Sequence, residues 1–584
     1  MIKIRRIEIE NYRAIKKLDW CPGEGINCLI GPGDSGKSSI LDAIELCLST
    51  RRTSVGDSDF HFLDCDSPIV ISLTIGDLDE ELRNLEDYGS FLRGFSLASG
   101  TINDEPALGW ETVLTLRVTI ERDLEPTWTL YSERASLQGF TKFLSSRERT
   151  RILTTRLASA ADDLNLSWSR YSILQRFTEE KIGFGAQLRD SAREARRVFG
   201  NVEEQLSSAV GVVKRTAQQL GVPTGEPKAM LDLQSLNFKD AAIAFHDQHG
   251  VPLRCLGTGS RRLLLAGLQG AEAEARTAVL LVDEVEHGLE PHRVTRLLNA
   301  LGSRDVGPST QVFMTTHSTI ALQQLHGDQI YVVRRGFFDH PVLKAGRSED
   351  VQSTLRKSPS SFLANKVIVC EGSSELGLLR GVDEYRLQQG KPSLLAAGVA
   401  YCDAGGGSPK DCFKKAELFA RLGYDVALFI DHDIPISPDL TADLEKLGGK
   451  LFTWQQFNAL EDALFNNLSD ERVLELLELA EDFAGQATVD SKIRSVDGDG
   501  YTLENMKAAG AFTGFSDELR SVLGKAAKTR KEKSGQTPKK SGWFKSIERM
   551  EVIGERLVGP SMDDGDDDLT RVVKGIFDWS HHGG

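Results

Sequence analysis

The spacing of apolar positions divides the chain into two stretches of alternating strands and helices with a stretch of different character between them. Residues 1–10 alternate apolar and polar side chains like a half-buried strand, and Gly25-Ile26-Asn27-Cys28-Leu29-Ile30 is a short apolar run suited to a buried one. Ser39 to Leu48 changes to helical spacing, and 68–75 and 112–120 return to β-branched alternation. Between about 130 and 230, Val198, Val202, Leu206, Val210, Val213 and Leu220 form one apolar stripe on a long, otherwise charged helix. Such a stripe faces either its own domain or a second copy of the chain. Strands are predicted again at 241–245, at Ala278–Val282 and from Gln311. The segment 336–362, with Pro, Ser and mixed charge, reads as linker. Beyond it, apolar runs at 365–370, 398–402 and 425–430 alternate with helical segments, which predicts a parallel sheet with its loops gathered on one edge.

The ends of these strands carry the chemistry. Gly31-Pro32-Gly33-Asp34-Ser35-Gly36-Lys37-Ser38 fits G-x-x-x-x-G-K-[ST] between a strand and a helix. Glycines there let successive backbone N–H groups converge on a phosphate, Lys37 neutralises charge and Ser38 completes a Mg²⁺ shell; Gly31, Gly33, Asp34, Ser35, Gly36 and Ser39 are the neighbouring candidate contacts. Leu256-Gly257-Thr258-Gly259-Ser260 is a flexible turn opening a hydrophobic helix, so Gly257, Gly259 and Ser260 are placed to receive an anion. The run Ala278–Val282 stops at two carboxylates, Asp283 for the Mg²⁺ shell opposite Ser38 and Glu284 for polarising an attacking water. Gln311 to Ser318 is another strand ending in a polar cluster that contains His317.

The second stretch repeats this logic with acids. Glu371 follows one strand with Glu375 four residues on, Asp403 precedes a Gly-rich turn, and Asp431 and Asp433 follow a third strand. Clustered Glu371, Glu375, Asp431 and Asp433 would repel one another unless hard cations bind. Two Mg²⁺ or Mn²⁺ ions roughly 4 Å apart activate a water and stabilise the leaving oxygen of a phosphodiester.

Composition adds limits. The 584 residues suggest about two to four domains. No apolar leader or membrane-length run is present, so a soluble, cytoplasmic protein without membrane contact is expected. The eight scattered cysteines suit buried thiols better than disulfides or zinc. The net charge of −15 leaves nucleic acid open, because Lys525, Lys528, Arg530, Lys531, Lys533, Lys539, Lys540 and Lys545 cluster, interrupted by Glu532.

The order P-loop, Gly-Ser turn, Asp-Glu strand end and His strand end resembles the ABC ATPases of the RecF and SMC type. The resemblance implies that the Gly-Ser turn is the signature motif for ATP held by the other subunit, that His317 is the switch histidine and that Glu286-His287-Gly288-Leu289-Glu290-Pro291 is the D-loop. Glu10-Asn11-Tyr12-Arg13-Ala14-Ile15 matches the opening strand and turn of that group. The turn departs from Leu-Ser-Gly-Gly, and no Gln marks a Q-loop, for which Asp59 or His61 is the substitute. Glu-Gly-x-x-Glu, a Gly-rich turn and Asp-x-Asp resemble the Toprim fold. Both halves together resemble the OLD family (overcoming lysogenisation defect) of ATP-linked nucleases. That implies a homodimer, DNA as substrate, an acid beyond Asp-x-Asp, matched by Glu461 with Asp462, and a C-terminal lysine, matched by Lys545 with Lys540 next.

The expectation is an α/β chain: an ABC-type (RecF/SMC-like) ATPase in 1–130 and 241–340, a helical and dimerising insertion at 131–240, a linker at 341–362, and a Toprim parallel-sheet domain with a helical C-terminal extension in 363–584. ATP with Mg²⁺ (or Mn²⁺) would occupy the first site and two divalent ions the second. Catalysis would fall to Glu371, Glu375, Asp431, Asp433, Glu461 and Lys545 on DNA and to Glu284 on ATP, in anti-phage defence, with a higher assembly and a defence-system partner protein compatible. The alternative is a regulatory ATPase whose Toprim unit restrains a partner without cutting DNA. A topoisomerase would need a tyrosine nucleophile, and Tyr385, Tyr401, Tyr424 and Tyr501 lie in no recognised motif.

Overall fold

The computed structural model describes residues 2–49, 55–144, 149, 153–157, 167–168, 206–220, 222, 224, 226–231, 243–276, 278–305, 310–336, 338–497, 501–528 and 542–581. It divides into two compact units, Met1–Arg356 and Lys357–Gly584.

The first unit contains an antiparallel sheet in the order β2 (Ile15–Trp20), β1 (Lys3–Tyr12), β4 (Ile69–Gly76), β7 (Glu111–Ile120), β5 (Arg93–Phe95) and β6 (Ile102–Asn103), with β8 (Thr127–Tyr131) on β7 and β9 (Lys142–Phe143) on β8. A second sheet runs β10 (Leu153–Leu157), β14 (Ala278–Val282), β15 (Gln311–Thr315), β3 (Ile26–Ile30), β16 (Ile330–Val333) and β17 (Val342–Lys344). Strands β10, β14, β15, β3 and β16 pair in parallel. Helix α1 (Lys37–Leu48) packs Ile40, Leu41, Ile44 and Cys47 into a core shared with Ile7, Ile71 and Leu116 of the antiparallel sheet and Leu29, Leu281 and Phe313 of the parallel one. That burial, about 1.5–3 kcal/mol per large side chain, fixes the helix behind the P-loop. Because β14, β15 and β3 are adjacent, parallel and in register (Val282 beside Met314, Met314 beside Cys28), the loops after all three emerge side by side.

Two expectations about connecting segments need correction. The described part of 131–240 is not helical throughout: β10 joins the parallel sheet, and β11 (Ser167–Trp168), β12 (Lys228–Leu231) and β13 (Ile243–His246) make a small antiparallel sheet. Val198 and Val202 of the apolar stripe lie outside the described residues. The rest of the stripe, in α2 (Ser207–Leu220), buries Val213 and Leu220 against its own unit, where a Cβ on Gly267 of α3 (Thr258–Arg276) would meet Thr216 Cγ2 at 2.3 Å and Leu220 Cδ1 at 2.6 Å. The stretch 341–362 is no loose linker. It holds β17, a helix at Glu349–Lys357 with Val351 and Leu355 buried, and a 3₁₀ turn at Pro359–Leu363 that buries Phe362.

The second unit is built on a parallel sheet in the order β19 (Val399–Asp403), β18 (Lys366–Cys370), β20 (Asp425–Ile430) and β21 (Lys450–Thr453). Helix α4 (Ser373–Gln388) follows β18, α5 (Pro409–Arg421) follows β19, and a set of helices including α6 (Leu460–Asn467), α7 (Asp517–Lys528), α8 (Ile547–Ile553) and α9 (Asp568–His581) follows the sheet. A Cβ on Gly377 would lie 2.5 Å from Ile547 O and one on Gly381 2.0 Å from Glu551 O, so α4 and α8 touch backbone to backbone. The eight cysteines are free thiols, with Cys28, Cys47, Cys370, Cys402 and Cys412 buried. No helix among the described residues is long and apolar enough to cross a membrane.

Candidate functional site

The P-loop is shaped by positions that favour glycine. Gly31 has φ 147° and a Cβ there would lie 2.4 Å from Val333 O, while Gly36, at φ 87°, is the N-cap of α1. Gly33 and Asp34 are exposed, Ser35 is buried and Ser39 is half-buried in the first turn of α1. Lys37 is buried and donates to Gly31 O (3.0 Å), Pro32 O (2.7 Å) and Ser35 Oγ (3.4 Å). Burial pushes its ammonium down from the usual lysine range while Asp34 and Asp283 pull it back. An anion in the loop would satisfy that buried charge.

Ser38 Oγ donates to Asp283 Oδ1 at 3.3 Å, although 245 residues separate the two, so the pair that would bracket Mg²⁺ is in place. Thr315 Oγ1 donates to the same oxygen (2.7 Å) and accepts from the Glu284 N–H (2.8 Å). Glu284 itself is exposed at φ 47°, 3.4 Å from His287 Nδ1. His317 is exposed, and its N–H donates to Glu286 Oε1 at 2.6 Å. In the Gly-Ser turn, Gly257 is exposed, a Cβ on Gly259 would sit 2.4 Å from Gly288 O, and Ser260 Oγ accepts from Arg293 NH1 (3.0 Å). The turn therefore rests on the 286–291 loop and the helix after it. Asp59 and His61 are both engaged with Arg13: Asp59 Oδ1 accepts from its Nε (2.7 Å), and His61 Nδ1 lies 2.7 Å from its carbonyl.

Sequence reasoning passed over Arg262. This buried side chain on α3 donates to Asp283 O, to Glu284 O (2.7 Å) and to His287 O (3.2 Å), tying the signature helix to the acidic strand end. Burial lowers its pKa, against Glu286, Glu284 and Asp283. The basic pair Arg261-Arg262 after the Gly-Ser turn was the available signal.

In the second unit, five acids crowd around the ends of β18 and β20. Glu375 stands in the first turn of α4, buried, with Oε2 accepting from the Gly372 N–H at 2.9 Å. Glu371 Oε2 accepts from the Asp431 N–H (3.0 Å), and Asp431 Oδ1 accepts from Trp454 Nε1 (3.0 Å) and the Leu460 N–H (2.9 Å). Burial, then repulsion from Glu371 and Glu461, pushes Glu375 up to about 7. Burial first, then Glu375, Glu461, Glu371 and Asp433, drives Asp431 well above the carboxylate range. Glu371 rises too, mainly through burial, with Lys545 opposing. Glu461 is buried in α6 with Lys545 Nζ 3.8 Å away, and Asp433 is exposed. Asp462 was expected beside Glu461 as a ligand, but its Oδ2 accepts from the Ala459 N–H (2.8 Å) and from Lys528, so it caps α6. Asp403 Oδ1 accepts from the Gly405 N–H at 2.6 Å, closing its own turn. Lys540 lies outside the described residues. Tyr424 donates to Phe362 O and Tyr385 to Asp563.

A hard divalent ion fits this centre by charge, since the crowded donors are all carboxylate oxygens, and burial with repulsion between them raises the pKa of Glu371, Glu375 and Asp431. The positions of the oxygens are less advanced. Among the described residues no three His, Cys, Asp or Glu side chains converge as a finished cage. The first site fits ATP with Mg²⁺ through Lys37, Ser38 and Asp283.

Residues 26–322 match the family model described as "AAA domain, putative AbiEii toxin, Type IV TA system". The proteins named "DNA replication and repair protein RecF" from Chlorobium limicola and Prosthecochloris aestuarii are 44% and 42% identical to this chain over 50 residues each. Each match covers 9% of this chain and 14% of the relative, so the chain spans a small part of those proteins. Among solved structures, the Smc head domain of Pyrococcus furiosus with the C-terminal domain of ScpA is 13% identical, with a TM-score of 0.36 over 59% of this chain and 96% of the other. The recombination mediator RecF-ATPrS structure is 14% identical, with a TM-score of 0.35 over 59% and 98%.

Proposed function

Because the chain belongs to the AAA-domain family whose model spans residues 26–322, we propose that its nucleotide site governs a divalent-metal-dependent DNA endonuclease or nickase in the second unit, a Toprim centre of the OLD kind. The ATPase half of this statement is carried by the family and by the kinship with RecF. The nuclease half rests chiefly on one observation: Glu371, Glu375, Asp431, Asp433 and Glu461 gather around the ends of β18 and β20 beside Lys545, with the carboxyl pKa values of Glu371, Glu375 and Asp431 raised. Glu371, Glu375, Asp431, Asp433 and Glu461 would hold two Mg²⁺ or Mn²⁺ ions, which would supply an activated water and stabilise the leaving oxygen. Trp454 and the Leu460 N–H orient Asp431, and Lys545, 3.8 Å from Glu461, would offset charge on a phosphoryl group. In the nucleotide site, Lys37 would neutralise phosphate charge, Ser38 and Asp283 would hold Mg²⁺, and Glu284 would orient the water.

A homodimer, with Gly257, Gly259 and Ser260 serving the partner's ATP, and an anti-phage role belong to the same OLD reading; the RecF name supports DNA as the polymer. The test is supercoiled plasmid with Mg²⁺ or Mn²⁺, with and without ATP, using wild type, Glu371→Ala and Lys37→Ala. Nicked or linear DNA from wild type, lost in Glu371→Ala, is expected, and the Lys37→Ala lane reports whether ATP gates cutting. Intact plasmid under every metal would replace this reading with that of a regulatory ATPase restraining a partner protein.

A further inference from the structure

Beyond Thr315, the last residue of β15, the chain leaves the sheet and its backbone loses ladder partners just where His317 must be held. Glu286 supplies them from the D-loop. Its Oε1 accepts the His317 N–H at 2.6 Å and its Oε2 accepts Thr316 Oγ1 at 2.6 Å. Hydrogen bonds to an ionised acceptor are roughly twice as strong as neutral ones, and here both oxygens of one carboxylate grip consecutive residues. The grip is braced on each side. Thr316 Oγ1 also accepts the Ser318 N–H (3.0 Å), and the Val285 N–H donates to Thr315 O (3.0 Å). Arg262 holds the carbonyls of Asp283, Glu284 and His287 around Glu286, and Gly259 of the signature turn abuts Gly288 O. An unbroken series of contacts thus runs from the signature helix through the D-loop to the backbone of His317.

We propose that Glu286 is a positioning residue for ATP hydrolysis: it fixes the 316–317 backbone so that the D-loop sets where the His317 imidazole stands, without itself touching nucleotide. A displacement of the D-loop, such as a second copy seated on it would cause, then reaches His317 through one carboxylate. The inference rests on the reading of His317 as the γ-phosphate contact, and His317→Ala tests that reading separately.

The experiment measures steady-state ATP hydrolysis and equilibrium binding of a fluorescent ATP analogue by the full chain. It compares wild type, Glu286→Ala, Glu286→Gln, Thr316→Val, His317→Ala and the Glu286→Ala/His317→Ala double variant. The expected result is a kcat loss of about tenfold in Glu286→Ala with analogue Kd within about twofold, a smaller loss in Glu286→Gln, and no further loss when Glu286→Ala is added to His317→Ala. Independent, multiplying losses in the double variant would overturn the proposal, as would a Glu286→Ala enzyme with unchanged kcat beside an impaired His317→Ala. If His317→Ala hydrolyses ATP normally, the histidine reading itself fails. Should Glu286→Ala not fold, Thr316→Val decides: a kcat loss of about threefold at unchanged Kd supports the coupling, and an unchanged kcat refutes it.

Discussion

The two centres share an architecture and differ in what they lack. Both sit where parallel strands end, β3, β14 and β15 in the first unit and β18 and β20 in the second. In the first, opposite or complementary groups have already met: Lys37 with loop carbonyls, Asp283 with the Ser38 and Thr315 hydroxyls, Glu286 with the His317 backbone. In the second, like has met like, and carboxylates held by Trp454 and by backbone N–H groups push one another's proton affinity upward. The first is a preformed cradle awaiting an anion with its ion. The second is a charge deficit that only a proton or a cation relieves.

Breaking either centre should leave ligand binding at the other unchanged. Lys37→Ala should cost nucleotide affinity about 100-fold, measured by titration with a fluorescent analogue, while Glu371→Ala leaves it within about twofold. A matching loss in both variants would mean that the centres are not separable. Next in size is Gly259→Ala, whose new Cβ would lie 2.4 Å from Gly288 O. Forcing the signature turn off the D-loop should cost about 1–3 kcal/mol, visible as a lower melting temperature together with slower ATP turnover.

The charge deficit makes a signed pH prediction. Glu375, at about 7 when folded against an ordinary value of 4.5, keeps its proton in the folded state after the unfolded chain has released it. The folded state binds more protons in that window, so this contribution to stability is complete below the unfolded value and is lost as pH rises through 7. In chelator, wild type should melt lower at pH 8 than at pH 5.5 by on the order of 5 °C relative to Glu375→Gln, and Mn²⁺ should remove that deficit at pH 8. A Glu375→Gln curve with the wild-type pH slope would sink the assignment. The smallest effect belongs to Trp454→Phe. It removes one donor from Asp431 Oδ1 and should weaken Mn²⁺ binding, followed by calorimetry, by about 0.5–1.5 kcal/mol.

What could be read from the sequence was chemistry written in consecutive residues. Gly31 to Ser38 states its own turn, and strands ending in Asp283, Glu371 and Asp431 state theirs, because an apolar run stopping at an acid is a local event. What could not be read depends on chain segments meeting in space. Thr315 matters because its hydroxyl reaches Asp283 across two strands, Arg262 because α3 delivers it to the carbonyls of another loop, and Trp454 because β21 pairs beside β20. Asp462 misled for a related reason. An acid in the first turn of a helix serves equally as ligand or cap, and the Ala459 N–H and Lys528 decide for the cap. At 341–362, Ser and Pro hid an amphipathic helix whose Val351 and Leu355, four residues apart, face inward.

The position of β3 inside its sheet has a consequence for the order in which a ribosome makes the molecule. The P-loop emerges long before the strands that flank β3: Asn27 pairs its side chain with Val312 across 285 positions, and β16 on the other flank ends only at Val333. Until those strands arrive, β3 has no neighbouring strand to pair with, and only α1 and the antiparallel sheet are there to cover its apolar side chains. The strands of the second unit, all within 366–453, need no such wait. During synthesis the chain therefore spends a long interval with the P-loop strand unpaired, which is the interval in which a chaperone would matter most.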